Sequence, residues 1–306
     1  MSFNNNIKIY TFLYGINYRK CPVCDNISTK WKYFLKDNHQ YQIDICKTCG
    51  CVFQNNIYNE EYYHSLPCSY PEDYAYHSIE RANYIIQFYL DNVNTKESIS
   101  ILDIGSGKGG TLYHIASIFE RMSVNVENSI GITLEKDIFK EEYKNFIYQF
   151  DIENDDSFND FLNEYKDTKF NFIIMSHVLE HFINPSKVIQ NVKKMLAPDG
   201  VLYIEVPSLY NAEYRVKSVW TSEHLSYFTA TSLFNLLRQN NFYNIEFNDS
   251  KIWGNIKTIW KLKTINKIIY KPFEEKNIIK KYNSNKFKKF IQRLKHKIGF
   301  NYEANI

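Results

Sequence analysis

Residues 101–110, ILDIGSGKGG, constrain this 306-residue chain more than any other stretch. Apolar Ile99, Ile101 and Leu102 run into Asp103. Gly105, Gly107 and Gly109 then follow at alternate positions before a helical pattern begins over 111–119. A strand, a tight turn and a helix start in that order bring unpaired N–H groups beside a backbone that, lacking Cβ atoms, can close on a ligand. Alone, such a loop serves a dinucleotide, a nucleoside or only a turn. The rest of the chain narrows the choice, because strand and helix patterns alternate as in an open parallel sheet. Strands are expected at 129–134, 145–150, 170–176 and 201–206, with two more at 243–248 and 257–263. Helices are expected at 78–93, 136–144, 157–165, 185–196 and 229–239, Pro185 standing where a missing N–H costs little.

Ahead of this region stand two CxxC pairs, Cys21/Cys24 and Cys46/Cys49, separated by 21 residues. Four thiolates at that spacing can surround one tetrahedral zinc, and so small a segment needs such a staple. A disulfide pair or a redox CxxC fits a doubled motif in a reducing compartment poorly. Four ligands leave no open position, so the expected zinc is structural. Cys51 is near enough to be an alternative ligand, and Cys68 is spare.

The expected division is a zinc-binding module over 1–55, a Tyr-rich linker with a lead-in helix over 56–97, a catalytic domain over 98–264, and a basic tail over 265–306. The linker either covers the mouth of a site or packs the two modules together. Of the 37 Lys and Arg, 15 lie in 251–297, against three acids beyond residue 250. Phe287, Phe290, Ile291 and Leu294 fall near helical spacing, which suits an amphipathic helix on an anionic membrane, on a partner, or on its own domain. No apolar run approaches the roughly 20 residues that span a bilayer, and residues 1–10 lack a signal-peptide layout. The expected location is the cytoplasm, with membrane association through the tail.

With these residues in view, 98–248 resembles the class I S-adenosylmethionine-dependent methyltransferases. The hallmark hDxGxGxG is intact at 102–109, whereas a hydride-transfer domain would want GxGxxG. Asp151 follows the third strand, His177 follows the fourth, and LAPDG precedes the fifth. The resemblance implies a doubly wound, Rossmann-like seven-stranded α/β sheet. It also implies a cofactor site of Asp103, Gly105, Ser106, Gly107 and Gly109 around the methionine part, with Asp151 and Ile152 at the adenine and His177 close by. The family usually grips the ribose with an acid at the end of the second strand. Here Thr133 holds that place, as in cyclopropane-fatty-acid-type enzymes, with Glu135 two residues on, so Thr133 or Glu135 makes the contact.

A narrower resemblance covers more of the chain. A four-cysteine module, His177-Val-Leu-Glu-His181 and Glu223-His224-Leu-Ser-Tyr-Phe228 together are similar to the zinc-containing sugar methyltransferases. It implies that His181, Glu223 and His224 line the acceptor site with a linker tyrosine, Tyr76 or Tyr74, and that His224 is the base, oriented by Glu223. Members that C-methylate nucleotide-linked keto-deoxysugars carry a large extra domain after this point, and fewer than 80 residues follow here. O-methylation of a sugar or nucleotide-sugar hydroxyl is therefore the expected reaction, with C-methylation as the alternative. A nucleic-acid-binding or RNA-modifying protein using the module and the tail is the other reading. The glycine loop and the acidic-histidine constellation speak against it.

Overall fold

The computed structural model describes residues 17–36, 39–57, 74–92, 98–134, 147–210, 220–249 and 254–262, with 280 and 283 as isolated helical positions. The expected helix at 136–144, the linker tyrosines Tyr58, Tyr62, Tyr63 and Tyr70, Glu135, Cys68 and the amphipathic tail lie outside the described residues.

Seven strands form the central sheet: β6 (Ser98–Ile104), β7 (Asn125–Thr133), β8 (Ile147–Gln149), β9 (Phe170–Ser176), β10 (Leu196–Pro207), β12 (Phe242–Asp249) and β13 (Asn255–Leu262). Their order is β12-β13-β10-β9-β6-β7-β8. The five strands from β8 to β10 run parallel, and β13 lies antiparallel to both of its neighbours. Six of the seven residues of β6 are buried, as expected for a strand covered on both faces. From β6 the chain proceeds to β7 on one side, while β9 lies on the other. The C-terminal end of β6 is thus the switch point where ligands bind in open α/β sheets.

Helices α1 (Tyr74–Asn92), α2 (Gly110–Arg121), α3 (Asp155–Glu164), α4 (Pro185–Met195) and α5 (Ala230–Gln239) cover the sheet. Asn154 and Asn184 cap α3 and α4 by accepting from Ser157 N and Lys187 N, and Thr229 and Ser232 form a capping box on α5. Ile85, Ile86 and Tyr89 of α1 pack with Ile115 and Phe119 of α2 on one face, while Val188, Ile189, Leu233 and Leu236 fill the other.

Element boundaries differ from expectation in two informative places. Helix α1 begins four residues early, at Tyr74. Strand β10 begins at Leu196 rather than 201, because Leu196 already pairs with Phe170 before a register shift carries the ladder to Val201. Gly200 permits this irregularity: a Cβ there would lie 2.8 Å from the Phe170 carbonyl.

The N-terminal cysteines lie in and beside a second sheet, in which Ser226–Tyr227 (β11), Val52–Gln54 (β4), His39–Cys46 (β3) and Ser28–Lys36 (β2) adjoin in that order. Its strands β2, β3 and β4 come from the module, but β11 comes from the segment after β10. The short pair β1 (Asn17–Tyr18) and β5 (Asn56–Ile57) closes the module's base. Cys21, Cys46, Cys49 and Phe53 share one buried cluster with Leu179, Phe228 and Leu233, so the module and the central sheet have a common core.

Candidate active site

The glycine loop follows Asp103 and Ile104 at the end of β6. Gly105, Gly107 and Gly109 all take positive φ, at 72°, 52° and 79°. The loop is pinned to the neighbouring strand, Gly105 N and Ser106 N both donating to Ile132 O at 2.8 and 3.0 Å. Gly109 begins α2 with no side-chain cap, which leaves the first-turn N–H groups facing the loop. A Cβ on Gly105 would meet Val178 Cβ at 2.7 Å, so the segment after β9 rests directly on the glycine loop.

Buried Asp103 lies beneath this loop. Burial pushes its carboxyl up to about 7, with Arg81 pulling the other way. Arg81 of α1 donates from Nε to Glu205 Oε2 at 2.7 Å and from Nη1 to Thr111 Oγ1 at 3.1 Å. Glu205 also accepts from Tyr203 Oη, Ser176 Oγ and Asn255 Nδ2. Although burial opposes its charge, Arg81 and His177 hold its pKa well below the usual carboxylate range. This buried lattice under the switch point was not anticipated from the sequence, since its members are scattered from 81 to 255.

Thr133 is buried at the end of β7 across from Gln149, while Ser106 lies over Gly131 of the same strand. Asp151 directs Oδ1 to the backbone N–H of Glu153 at 2.9 Å. Ile152 turns its side chain into the core, and its carbonyl accepts from Asn191 Nδ2 at 3.0 Å. That side chain is unavailable to the adenine that the resemblance places here. Glycines that a side chain would strain, an uncapped helix start and a buried carboxylate form a cradle whose donor set fits S-adenosylmethionine.

The second half of the site gathers on the far side of Val178. His177 has a φ of 53°, its N–H donates to Glu205 O at 2.8 Å, and its Nε2 lies 3.0 Å from Asn255 Nδ2 and 3.5 Å from Glu205 Oε1. Burial opposes charge on His177, but its contacts with Glu180 and Glu205 prevail and push its pKa up to about 9. A 3-10 turn, Leu179–His181, follows. His181 and His224 meet edge to face with ring centroids 4.9 Å apart, bringing together two residues 43 positions distant in sequence. Burial and the neighbouring His181 push His224 down to about 3, so its ring stays neutral across the physiological range.

The orienting carboxylate differs from expectation. Glu223 sends Oε1 toward Lys36 Nζ at 3.5 Å and contributes its backbone carbonyl, not its carboxylate, to His181 Nδ1 at 3.0 Å. The carboxylate behind the histidine pair is Glu180, only 1 % exposed, with Oε1 3.6 Å from His177 Nδ1 and 4.0 Å from His181 Nε2. A carboxylate in an apolar run, with histidines at i−3 and i+1, was the sequence signal for it. Tyr76 and Tyr74 fall in the first turn of α1, where the backbone alone is described.

The N-terminal module holds the His224 segment in place. Through β11, Ser226 pairs with Phe53 and Tyr227 with Val52. Arg19 donates from Nε to Gln54 O at 2.9 Å, from Nη1 to Ile183 O at 2.5 Å and from Nη2 to Leu225 O at 2.6 Å, tying the module to both histidine-bearing loops. Within the module, the sulfurs of Cys21, Cys24, Cys46 and Cys49 lie within 4.8 Å of one another, the closest pairs at 3.4 and 3.5 Å. That is too long for a disulfide and close to the ~3.8 Å edge of a zinc–sulfur tetrahedron. Side-chain contact with Cys21 pulls Cys24 down and pushes Cys46 and Cys49 up, so the four cannot all ionise without a cation among them. Cys51 is buried outside this group and directs its thiol to Val52 O.

No curated protein matches the chain. Among solved structures, an S-adenosylmethionine-dependent methyltransferase from Clostridium acetobutylicum ATCC 824 aligns at 12% identity, covering 61% of this chain and 92% of that one, with a TM-score of 0.46. The plantazolicin methyltransferase BpumL in complex with SAH aligns at 15% identity over 66% and 88%, with a TM-score of 0.47. The PH0226 protein from Pyrococcus horikoshii OT3 aligns at 16% identity over 67% and 100%, with a TM-score of 0.47. A family model described as "Methyltransferase domain" matches residues 74–246, from the first turn of α1 into β12. With more than half of its length inside that match and the glycine loop at the switch point of its sheet, the chain belongs to the methyltransferase-domain family and is an S-adenosylmethionine-dependent enzyme.

Proposed function

We propose that the protein transfers a methyl group to a hydroxyl of a sugar or nucleotide-linked sugar. The observation that carries this reading is the convergence of His181, His224 and the buried Glu180 beside the glycine loop. S-adenosylmethionine supplies, when bound, an electrophilic methyl group on a sulfonium. A sugar hydroxyl is a poor nucleophile, so the protein must align it with that methyl and remove its proton. The glycine loop, Asp103, Thr133 and Asp151 hold the cofactor. The imidazoles of His181 and His224 receive the acceptor hydroxyl, and its deprotonation is assigned to this cluster. Half-buried Trp220 packs edge to face on buried Tyr227 with centroids 4.6 Å apart, and Tyr227 lies 6.2 Å from His224, so the indole offers an apolar wall suited to a sugar ring.

The module's part in this reading is structural. Cys21, Cys24, Cys46 and Cys49 hold one zinc that keeps β3 and β4 rigid behind the acceptor loop. Elemental analysis of wild type should return this equivalent, and Cys46→Ser should lose it along with much of the folded yield.

The deciding experiment incubates the protein with labelled S-adenosylmethionine and a panel of nucleotide sugars and glycans, followed by mass detection. A gain of one methyl on oxygen supports the proposal. A methyl on carbon moves the protein to the C-methylating alternative, and label appearing only on RNA or protein refutes a sugar acceptor.

A further inference from the structure

The side chain of Glu180 poses a chemical problem that the acceptor reading leaves unsolved. It is almost wholly buried, yet neither carboxylate oxygen has a hydrogen-bond partner among the described residues. Burying an unsatisfied carboxylate is costly, and such groups coordinate cations or pair with them. His177 Nδ1, 3.6 Å from Oε1, is a long-range ion-pair partner that leaves both oxygens without a hydrogen bond.

The ring of His181 sharpens the problem. Its Nδ1 lies 3.0 Å from the Glu223 carbonyl, which can only accept, so Nδ1 carries the proton there. In the neutral ring Nε2 then carries the lone pair that a metal would use, and it faces Glu180 Oε1 across 4.0 Å. That gap is too wide for a shared proton. Atoms sharing one ion at ~2.0–2.2 Å stand about 3.3–3.6 Å apart in a tetrahedron, so a side-chain shift of about half an ångström would close this pair on an interposed ion. A backbone carbonyl on the far nitrogen is also the usual support of a metal-bound histidine. One ligand atom from His224 completes the group, all three lying within 4.8 Å of one another.

We infer that Glu180, His181 and His224 form a second metal site that holds a divalent cation against the acceptor hydroxyl. Two imidazoles and one carboxylate suit a transition ion such as zinc, manganese or iron(II) better than calcium or magnesium. Three protein ligands leave positions open for an acceptor oxygen, unlike the closed four-cysteine set. This inference rests on the acceptor reading above and says how the proton leaves: coordination acidifies the hydroxyl, which releases its proton to water. The acceptor oxygen then forms a bond to the methyl carbon, and the methyl–sulfur bond breaks with its electron pair remaining on sulfur.

Manganese(II) is the probe of choice, because it prefers nitrogen and oxygen ligands and leaves the thiolate cluster alone. The full chain, dialysed against a weak chelator, is titrated with Mn2+ and the free-ion electron paramagnetic resonance signal is followed. Wild type should take up one equivalent. Glu180→Gln and His224→Asn should each weaken uptake at least tenfold while S-adenosylhomocysteine affinity stays the same. If one variant fails to fold, the other decides. No uptake by wild type, or equal uptake by the folded variants, overturns the site. Full sugar methylation by chelated protein would overturn the cation and leave the acceptor reading standing. Manganese uptake without methylation of any sugar would support the metal site and remove the sugar.

Discussion

The two halves of the active site are built in opposite ways. The cofactor half centres on one continuous stretch, Asp103 to the start of α2, with Thr133 and Asp151 at the ends of neighbouring strands, and its loop is pinned to β7 by two hydrogen bonds. The proposed acceptor half has no local existence. His181 comes from the 3-10 turn after β9, His224 from the segment before β11, and the frame behind them from Arg19 and β4. A local device is robust to changes elsewhere, whereas an assembled one fails when any of its sources moves. The two halves touch at Gly105 and Val178, so each can be disturbed separately.

The largest separation is expected from Gly107→Val. A β-branched residue at a φ of 52° is strained whatever the space around it, and the loop cannot then keep its shape. Isothermal titration should show micromolar S-adenosylmethionine binding by wild type, roughly −8 kcal/mol, and none by the variant. Retained binding, or a preference for NAD, would break the comparison at its better-defined end.

Next comes His224→Ala, which should lower turnover about 10²- to 10⁴-fold with cofactor affinity nearly unchanged. His181→Ala should act in the same direction. Near-full activity of both variants on the true acceptor would move the chemistry away from this cluster.

A third test uses pH on the protein without cofactor. The Asp103 carboxyl has its folded pKa raised from 3.8 to about 7, so between those values the folded state binds more protons than the unfolded. This group's contribution therefore falls as pH rises through that window, reaching a cost on the order of 2–4 kcal/mol above pH 7. Asp103→Asn should remove the cost, so wild type and variant should diverge in melting temperature from pH 4 to 7 while the variant binds cofactor more weakly. Parallel curves would show that Asp103 is not strained in the folded protein.

The smallest effect should come from Arg19→Lys. An ammonium cannot reach Gln54 O, Ile183 O and Leu225 O together, and hydrogen bonds from a charged donor are worth about 1.5–3 kcal/mol each. The acceptor KM should rise while cofactor affinity holds. Equal loss on both sides would mean that the halves are not separable.

The contrast also explains what could be read in the sequence. The loop, its strand and its helix were legible because alternating glycines after an apolar run have a local steric meaning. The same holds for most sheet elements, whose periodicity reports burial on one or both faces. His181 and His224 entered only through family resemblance, since nothing in their own neighbourhoods says that they meet. The carboxylate was assigned to Glu223 because it adjoins His224 in sequence, whereas the fold turns that side chain to Lys36 and puts Glu180 behind the pair. Two-residue β11 has no periodicity at all, and Arg81 and Glu205 find each other across 124 positions.

The origin of β11 has a consequence for how the molecule is made. As the chain leaves the ribosome, β2, β3 and β4 can pair early, yet β4 remains an open edge until residues 226–227 emerge well over 150 residues later. Pairing over such separation is slow, and a waiting edge strand invites the wrong partner. The proposed acceptor half therefore closes more than 100 residues after the glycine loop has emerged.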